Sequence, residues 1–293
     1  MRSFRHVGRR RHAALMLFAA VLAFGGAASA AGRMLGDREI AFGSRVLQAS
    51  VLLYSQTETG DWHNFCTATA FEREGGITRF ITAAHCFARD DPKHERVIIE
   101  ESNIRAVFSD ADDQEVMRMY RMRVVGAGYK LRKDDCGFLE IEGLDRDVPI
   151  IPVARGRPKI FEPVINIAGA NGLGLQALEG NVTIPKLKRP IGSKGSNWNG
   201  NILLDLPTAK RSSGSAIVSL RRPGIIGILA GTSTDDNMVH TVAVPIDRCL
   251  DVWKKIKADE YRWFSRPRAA DADDAGLPDG DEDDKIDLLM PDP

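Results

Sequence analysis

Three side chains on separate segments have the types that acyl transfer by a hydroxyl group requires. His85 follows two small alanines at the end of a short apolar run, Asp135 lies next to Asp134, and Ser213 lies in a Ser/Gly-rich turn. In this chemistry a serine attacks a carbonyl, a neutral imidazole takes its proton, and a carboxylate holds the imidazole in the required tautomer. The sequence predicts that His85, Asp135 and Ser213 act together, with Asp134 as the alternative carboxylate.

Each of these residues also has a plain structural interpretation. A single histidine is often a surface or packed residue, and Asp pairs and Ser/Gly runs are common in turns. The context of His85 favours chemistry, because Ala83 and Ala84 leave room for close packing behind the imidazole.

The segment Thr82-Ala83-Ala84-His85-Cys86 resembles, residue for residue, the histidine motif of the chymotrypsin/trypsin family of serine peptidases. Asp135 and Ser213 stand in segments that are similar to the aspartate and nucleophile motifs of that family, in the same order along the chain. The resemblance covers about Arg38 to Lys257. It implies a serine endopeptidase that acts on protein or peptide substrates and needs no metal or organic cofactor.

The resemblance also implies one cysteine pairing. In the family, the cysteine after the histidine bonds to one upstream, which here implies a disulfide between Cys66 and Cys86. For Cys136 and Cys249 the sequence leaves two alternatives, a second disulfide or two buried thiols. The chain has no Cys-x-x-Cys pair, so the cysteines give little support to a zinc or redox site.

Two departures from the family pattern flank the nucleophile. Ser212 occupies the position of an aspartate that pairs with a cleaved N-terminus, so activation by that cleavage is not expected. Ser213-Gly214-Ser215 is similar instead to the bacterial glutamyl-endopeptidase-like branch.

Arg211 stands where the family has a glycine. The backbone N–H groups at this position and at Ser213 form the oxyanion hole of the family. Arginine keeps the N–H, but the required dihedral angles favour glycine, and loss of one donor costs about 100-fold or more in rate. The alternative function is therefore a catalytically impaired homologue that acts as a protein-binding module.

The resemblance assigns a substrate pocket to Thr208, Thr232 and His240. Pro207, six residues before Ser213, provides no acid that would attract Lys or Arg. His240 has two interpretations, either a group that favours an acidic substrate side chain or a hydrogen-bonded core histidine.

Recurrent short runs rich in Val, Ile, Leu and Phe predict an all-β fold. The predicted strands are Val51–Ser55, Arg79–Ala83, Arg96–Glu100, Ile104–Phe108, Met119–Val125, Phe138–Ile141, Val164–Ala168, Ile202–Leu206, Ala216–Leu220, Ile225–Ala230 and Val239–Val244. One helix is predicted after Pro245 from its apolar spacing. The resemblance specifies two six-stranded antiparallel β-barrels followed by this C-terminal helix.

Composition divides the chain into four parts. Residues 1–30 contain five arginines, an apolar stretch and a small-residue exit, which predict a signal peptide and a secreted or periplasmic protein. The predicted barrels are residues 31–150 and 151–265. Residues 266–293 carry ten acidic and three basic residues and predict a solvated, disordered tail, with a short docking element as the alternative.

The charge of the predicted barrels is close to neutral. The chain has 40 basic and 40 acidic residues, and the basic start and acidic end nearly cancel. The sequence therefore predicts neither nucleic-acid binding nor membrane binding after signal cleavage. It does not indicate an oligomeric state.

Overall fold

The computed structural model describes residues 35–91, 93–94, 96–109, 118–128, 131–188, 198–235, 238–260 and 263–265. The predicted signal peptide 1–30 and acidic tail 266–293 lie outside these residues. Residues 41–293 form one compact unit that contains every described strand, and residues 1–40 form another, described only from residue 35. Among the described residues, no helix is long and apolar enough to cross a membrane.

Strands dominate the described part of the chain. In chain order the elements are α1 (Asp37–Ala49), β1 (Ser50–Gln56), β2 (Trp62–Glu74), β3 (Ile77–Thr82), β4 (Ala88–Asp91), β5 (Arg96–Ile99), β6 (Arg105–Phe108), β7 (Met119–Arg121), β8 (Arg123–Ala127), α2 (Leu131–Asp134), β9 (Gly137–Glu142), β10 (Pro163–Ala168), β11 (Gln176–Ile184), β12 (Ile202–Leu204), β13 (Ala216–Ser219), β14 (Gly224–Asp235), β15 (Met238–Pro245), α3 (Ile246–Lys257) and β16 (Trp263–Ser265).

The first sheet has seven antiparallel strands in the order β7-β6-β1-β2-β3-β9-β8. Its two edge strands, β7 and β8, are separated in the chain only by Met122, which donates its N–H to the carbonyl of Ile104 at 2.9 Å. The sheet therefore curls until its edges meet at Met122. This differs from the predicted closed six-stranded barrel, because the predicted strand Met119–Val125 is divided between the two edges.

The second sheet is a closed antiparallel barrel in the order β10-β11-β12-β15-β14-β13. Apolar residues from its strands fill the interior, including Val164, Val182, Ile202, Ile217 and Leu229. Branched apolar residues at alternate strand positions provide this packing. Helix α3 follows β15 directly and buries Ile246, Cys249, Val252 and Trp253. The all-β fold with barrels and a C-terminal helix is confirmed.

Several features of the fold were not predicted from the sequence, among them β4, β11 and α2. Helix α1 buries Phe42, Val46 and Ala49, which lie on one helical face. Strand β2 is buried through small and polar residues rather than large apolar ones. Strand β16 pairs in parallel with β5, so residues 263–265 join a sheet formed within residues 31–150, although the sequence assigned them to the second barrel.

Candidate active site

The structure places His85 in a short 3₁₀ turn, Ala84–Cys86, immediately after β3. Ala83 and Ala84 are fully buried, so the backbone behind the imidazole packs closely. Cys86 is disulfide-bonded to Cys66 on β2, which ties the turn to the neighbouring strand. The histidine is thus held by a rigid sheet and a covalent link.

Asp135 binds His85 through both of its carboxylate oxygens. Its Oδ2 lies 2.6 Å from His85 Nδ1, and its Oδ1 accepts the backbone N–H of His85 at 2.9 Å. The carboxylate is 3% exposed. The neighbouring Asp134 does not take this position, because its backbone carbonyl accepts the N–H of Cys136. This arrangement fixes the ring orientation and places the proton of the neutral imidazole on Nδ1.

Burial of the His85 ring and the neighbouring Asp135 act on the pKa of His85 in opposite directions. Burial lowers the pKa of His85, but the charge of Asp135 and its hydrogen bond raise it, and the net result is a pKa above the ordinary value of 6.5. The ring is therefore a stronger base than a free histidine. The carboxylate will also stabilise the imidazolium once a proton arrives at the other ring nitrogen.

Ser213 lies half-buried beside the segment that carries His85. Its carbonyl accepts the N–H of Thr67 on β2 at 2.9 Å. The next residue, Gly214, has a φ of +83°, and a Cβ there would lie 2.5 Å from the Thr67 carbonyl and 2.8 Å from the Ala83 nitrogen. Only glycine fits this close approach. The serine turn of the second barrel is therefore pressed against the end of β3, two residues before His85.

No hydrogen bond joins Ser213 Oγ to His85 among the described residues. The backbone contacts bring the two segments together, and the final approach of the hydroxyl to Nε2 is not made in this state. Catalytic hydrogen bonds in unliganded enzymes are often long and shorten when substrate binds.

Arg211 adopts the backbone conformation that favours glycine. Its φ is +74°, and the N–H of Ser212 donates to the carbonyl of Ala209 at 3.1 Å. A positive φ at the third residue of a hydrogen-bonded turn is the mark of a type II turn. The arginine thus tolerates the dihedral angle that was expected to exclude it.

The peptide groups around Arg211 have fixed orientations. The carbonyl of Lys210 accepts the N–H of Asn171 at 2.9 Å, and the carbonyl of Arg211 accepts the Thr67 hydroxyl at 3.2 Å. Because a trans peptide directs its N–H away from its carbonyl, the Arg211 N–H points away from Asn171. Neither this N–H nor that of Ser213 donates to another described residue. Two donors beside the serine therefore remain available to an oxyanion.

Thr67 joins the two barrels at this point, a role that the sequence did not reveal. Its hydroxyl donates to Arg211 and accepts the N–H of Gly169 at 3.0 Å, while its carbonyl accepts the Thr82 hydroxyl at 2.7 Å. One fully buried side chain thus holds both the serine turn and the loop after β10. A threonine in a strand carries no distinctive sequence signal, because β-branched residues are common there.

The structure brings two of the three predicted pocket residues onto one face. Thr232 on β14 is the cross-strand partner of Thr241 on β15, and Thr208 Oγ1 lies 3.1 Å from Thr241 Oγ1. His240 is paired with Ser233 instead. Because successive strand residues point to opposite faces, His240 lies on the face opposite to Thr232 and Thr241. Thr241 joins the candidate pocket, and His240 does not.

The alternative interpretation of His240, a hydrogen-bonded core histidine, also finds no support. The residue is half-buried, and its ring makes no hydrogen bond with a described residue. Thr208 and Thr232 are half-buried, whereas Thr241 is buried and donates its hydroxyl to the carbonyl of Leu206 at 2.6 Å.

Comparisons by sequence and by structure give different results. No protein-family model and no curated protein sequence matches the chain. Among solved structures, a serine endoprotease from Yersinia pestis matches with a TM-score of 0.55 and 17% identity, over 78% of this chain and 70% of that one. The HtrA-type protease AlgW, solved with a tripeptide, matches with a TM-score of 0.56 and 20% identity, over 74% of this chain and 63% of that one.

The chain has the fold of a serine endoprotease. These structures share less than 25% sequence identity with the chain, so they show its fold and do not by themselves show its activity. The similarity to the glutamyl-endopeptidase-like branch remains a prediction, since both matched structures have other descriptions and His240 lies outside the candidate pocket.

A second disulfide supports the aspartate of this serine-endoprotease fold. Cys136, which follows Asp135, is bonded to Cys249 on helix α3. His85 and Asp135 are therefore each followed directly by a cross-linked cysteine. Cys66, His85 and Cys86 also lie within 4.8 Å of one another, but disulfide sulfurs have no thiolate to offer a metal ion.

Proposed function

We propose that this protein is a serine endopeptidase that hydrolyses peptide bonds through an acyl-enzyme. The observation that carries the proposal is the double contact between Asp135 and His85, at 2.6 Å to the ring and 2.9 Å to the backbone, on the fold of serine endoproteases. A buried carboxylate that orients a half-buried imidazole in this way is the arrangement that activates a nearby serine.

In the proposed reaction, Ser213 Oγ attacks the carbonyl carbon of the scissile bond. Its proton passes to Nε2 of His85, and Asp135 stabilises the imidazolium. The C–N bond then breaks, and the imidazolium gives the same proton to the leaving amine. Water attacks the resulting ester with His85 as base, which releases the carboxylic acid and restores the serine.

The N–H groups of Arg211 and Ser213 supply the proposed oxyanion hole. The carbonyl of Lys210 is held by Asn171, and the carbonyl of Arg211 is held by Thr67. These contacts stabilise the turn before substrate arrives, so little reorganisation is needed when charge develops. The left-handed conformation of Arg211 supports the enzyme over an impaired homologue that only binds proteins.

The buried surroundings of Ser212 favour an enzyme that needs no N-terminal cleavage. Ser212 is fully buried, and its carbonyl accepts both the N–H of Ser215 at 3.2 Å and the Ser215 hydroxyl at 2.6 Å. The Ser215 hydroxyl in turn accepts from Asn166 at 2.7 Å. Neutral hydrogen bonds thus occupy the region where an aspartate would require a charged partner.

The proposed substrates are proteins or peptides. Thr208 and Thr232, which are half-buried, favour a small or polar side chain before the scissile bond, because their own side chains are short and uncharged. A secreted or periplasmic location fits two disulfides, which persist mainly in oxidising compartments.

The proposal is tested by incubating the purified mature protein with a diverse peptide library and sequencing the products. Ser213→Ala and His85→Gln should each abolish cleavage, while Thr69→Val, on the same strand as Thr67 but without its contacts to the serine turn, should retain it. Cleavage that is unchanged in Ser213→Ala would contradict the proposal.

A further inference from the structure

The side chain of Arg211 has no partner that accounts for its conformation. A non-glycine residue with a left-handed backbone is strained relative to an ordinary conformation. Arg211 has a φ of +74° and is exposed, and it forms no ion pair with a described residue. Such strain concentrates at functional sites, and here it holds a guanidinium two residues before the proposed nucleophile.

The position of the guanidinium is defined by Gly172. A Cβ on that glycine would lie 3.2 Å from Arg211 Cζ and still closer to Nη1. The charge of Arg211 also acts on Tyr54 of β1, since burial raises the pKa of that phenol while Arg211 works to lower it. The guanidinium thus lies over the loop that follows β10, within electrostatic range of Tyr54.

This position is on the leaving-group side of the proposed site. The candidate pocket for the residue before the cut is built from β14 and β15, through Thr232 and Thr241. The guanidinium lies against Gly172, in the loop that follows β10. A peptide whose acyl half occupies the pocket would place its first residues after the cut near Arg211.

A second basic residue lies next to Arg211 in the chain. Lys210, the adjacent residue, is also exposed. An anionic side chain is the group that a guanidinium recognises with two parallel hydrogen bonds.

We infer that the Arg211 side chain binds an acidic residue, Asp or Glu, at the first or second position after the scissile bond. This inference rests on the proposed function and names the substrate feature that the site selects. Arg211 then has two roles. Its backbone N–H binds the oxyanion, and its guanidinium selects the residue in the leaving group.

The test begins with a cleaved sequence from the peptide library. Synthetic peptides of that sequence carry Asp or Asn at the first position after the cut, and a second pair carries them at the second position. The ratio of kcat/KM for Asp over Asn should be about fivefold in at least one pair, the size expected for a partly exposed ion pair. It should fall toward one at about 1 M salt.

Variants of the enzyme test whether the Arg211 side chain causes the preference for Asp over Asn. Arg211→Gln should bring the Asp/Asn ratio to about one, Arg211→Lys should keep most of it, and Arg211→Glu should favour Lys over Gln at the same position. Lys210→Gln, which removes the neighbouring charge, should retain the preference. Because each ratio compares two peptides cleaved by the same variant, any effect of the substitution on the oxyanion N–H cancels.

The possible outcomes separate this inference from the proposed function. Equal cleavage of Asp and Asn peptides by the wild-type enzyme, or a preference that survives in Arg211→Gln, overturns the inference while the peptidase stands. A wild-type protein that cleaves nothing, and whose Ser213 does not react with a fluorophosphonate, overturns both.

Discussion

Both carboxylate oxygens of Asp135 bind one residue, His85, with Oδ2 at 2.6 Å from the ring Nδ1 and Oδ1 at 2.9 Å from the backbone nitrogen. A single hydrogen bond would leave the His85 ring free to rotate about the line that joins Nδ1 to Oδ2. The second contact fixes the backbone that carries the ring, so position and orientation are set together. Each partner is followed by a disulfide-bonded cysteine, which limits relative movement further.

The pH dependence of kcat/KM should show the influence of Asp135 on His85. The ring works as a base in its neutral form, so activity is present above its pKa and is lost as pH falls through it. Because the pKa of His85 is raised above 6.5, the acidic limb should have its midpoint above that value. The measurement is kcat/KM for one peptide between pH 5 and pH 9.

Replacement of the Asp135 carboxylate should shift the acidic limb of the kcat/KM profile to lower pH. Asp135→Asn removes the charge that raises the pKa of His85 and leaves the burial that lowers it. The midpoint should therefore move to lower pH, and kcat should fall by about 10⁴-fold because the wrong tautomer is favoured. A limb that stays at the same pH in Asp135→Asn would show that another group controls the titration.

Thr67→Val should slow acylation through the serine turn. Valine keeps the shape of threonine but removes the hydroxyl that donates to Arg211 and accepts from Gly169. We expect kcat/KM to fall by about tenfold, since one buried polar contact is worth about 1–3 kcal/mol. The pH midpoint of His85 should not change.

The control for that variant is Thr69→Val. Thr69 is equally buried, lies two residues along the same strand, and faces only the Ser50 hydroxyl, at 3.5 Å. Its substitution should change the free energy of unfolding without changing kcat/KM by more than about twofold. Equal loss of activity in both variants would indicate a general effect of damage to β2.

Gly214→Ala should displace the serine turn from the end of β3. The added Cβ would lie 2.5 Å from the Thr67 carbonyl and would also meet the Thr82 hydroxyl, and the backbone cannot yield without moving Ser213. Fluorophosphonate labelling of Ser213 should become undetectable. Gly75→Ala is the matched control, since it has a φ of +57° but nothing within 4 Å of an added Cβ. Normal labelling of Gly214→Ala would disprove this close approach.

The two disulfides should differ in their contribution to stability. Cys66–Cys86 closes 20 residues and Cys136–Cys249 closes 113. Loop-closure entropy of the unfolded chain predicts a cost of about 3 kcal/mol for removing the first and about 1.5 kcal/mol more for the second. Chemical denaturation of the two Cys→Ser pairs measures both values. A larger loss for the shorter loop would contradict the entropic explanation.

The sequence predicted the elements that carry strong local signals. The apolar runs identified most strands of the sheets, and the motif around His85 led to the choice of Asp135, which contacts its ring. Strand β2 was missed because its fully buried residues Thr67, Ala68 and Thr69 are small or polar. Burial of small residues depends on what packs against them, and that is a tertiary property.

The pocket shows a second limit of sequence reasoning. His240 was selected for its chemistry, but its face is decided by the register between β14 and β15, which pairs it with Ser233. A shift of one residue would have reversed its orientation. Thr241 gave no signal of its own and joins the pocket only because it pairs with Thr232. Asn171 likewise acts through a backbone N–H, which no residue type reveals.

The most direct test of this account is the reaction of the mature protein with a fluorophosphonate probe, with the adduct located by mass spectrometry. The account predicts one adduct, on Ser213, that disappears in Ser213→Ala and forms at least 100-fold more slowly in His85→Gln, because the hydroxyl then lacks its base. An adduct on another residue, or the absence of any adduct in a folded wild-type protein, would contradict it.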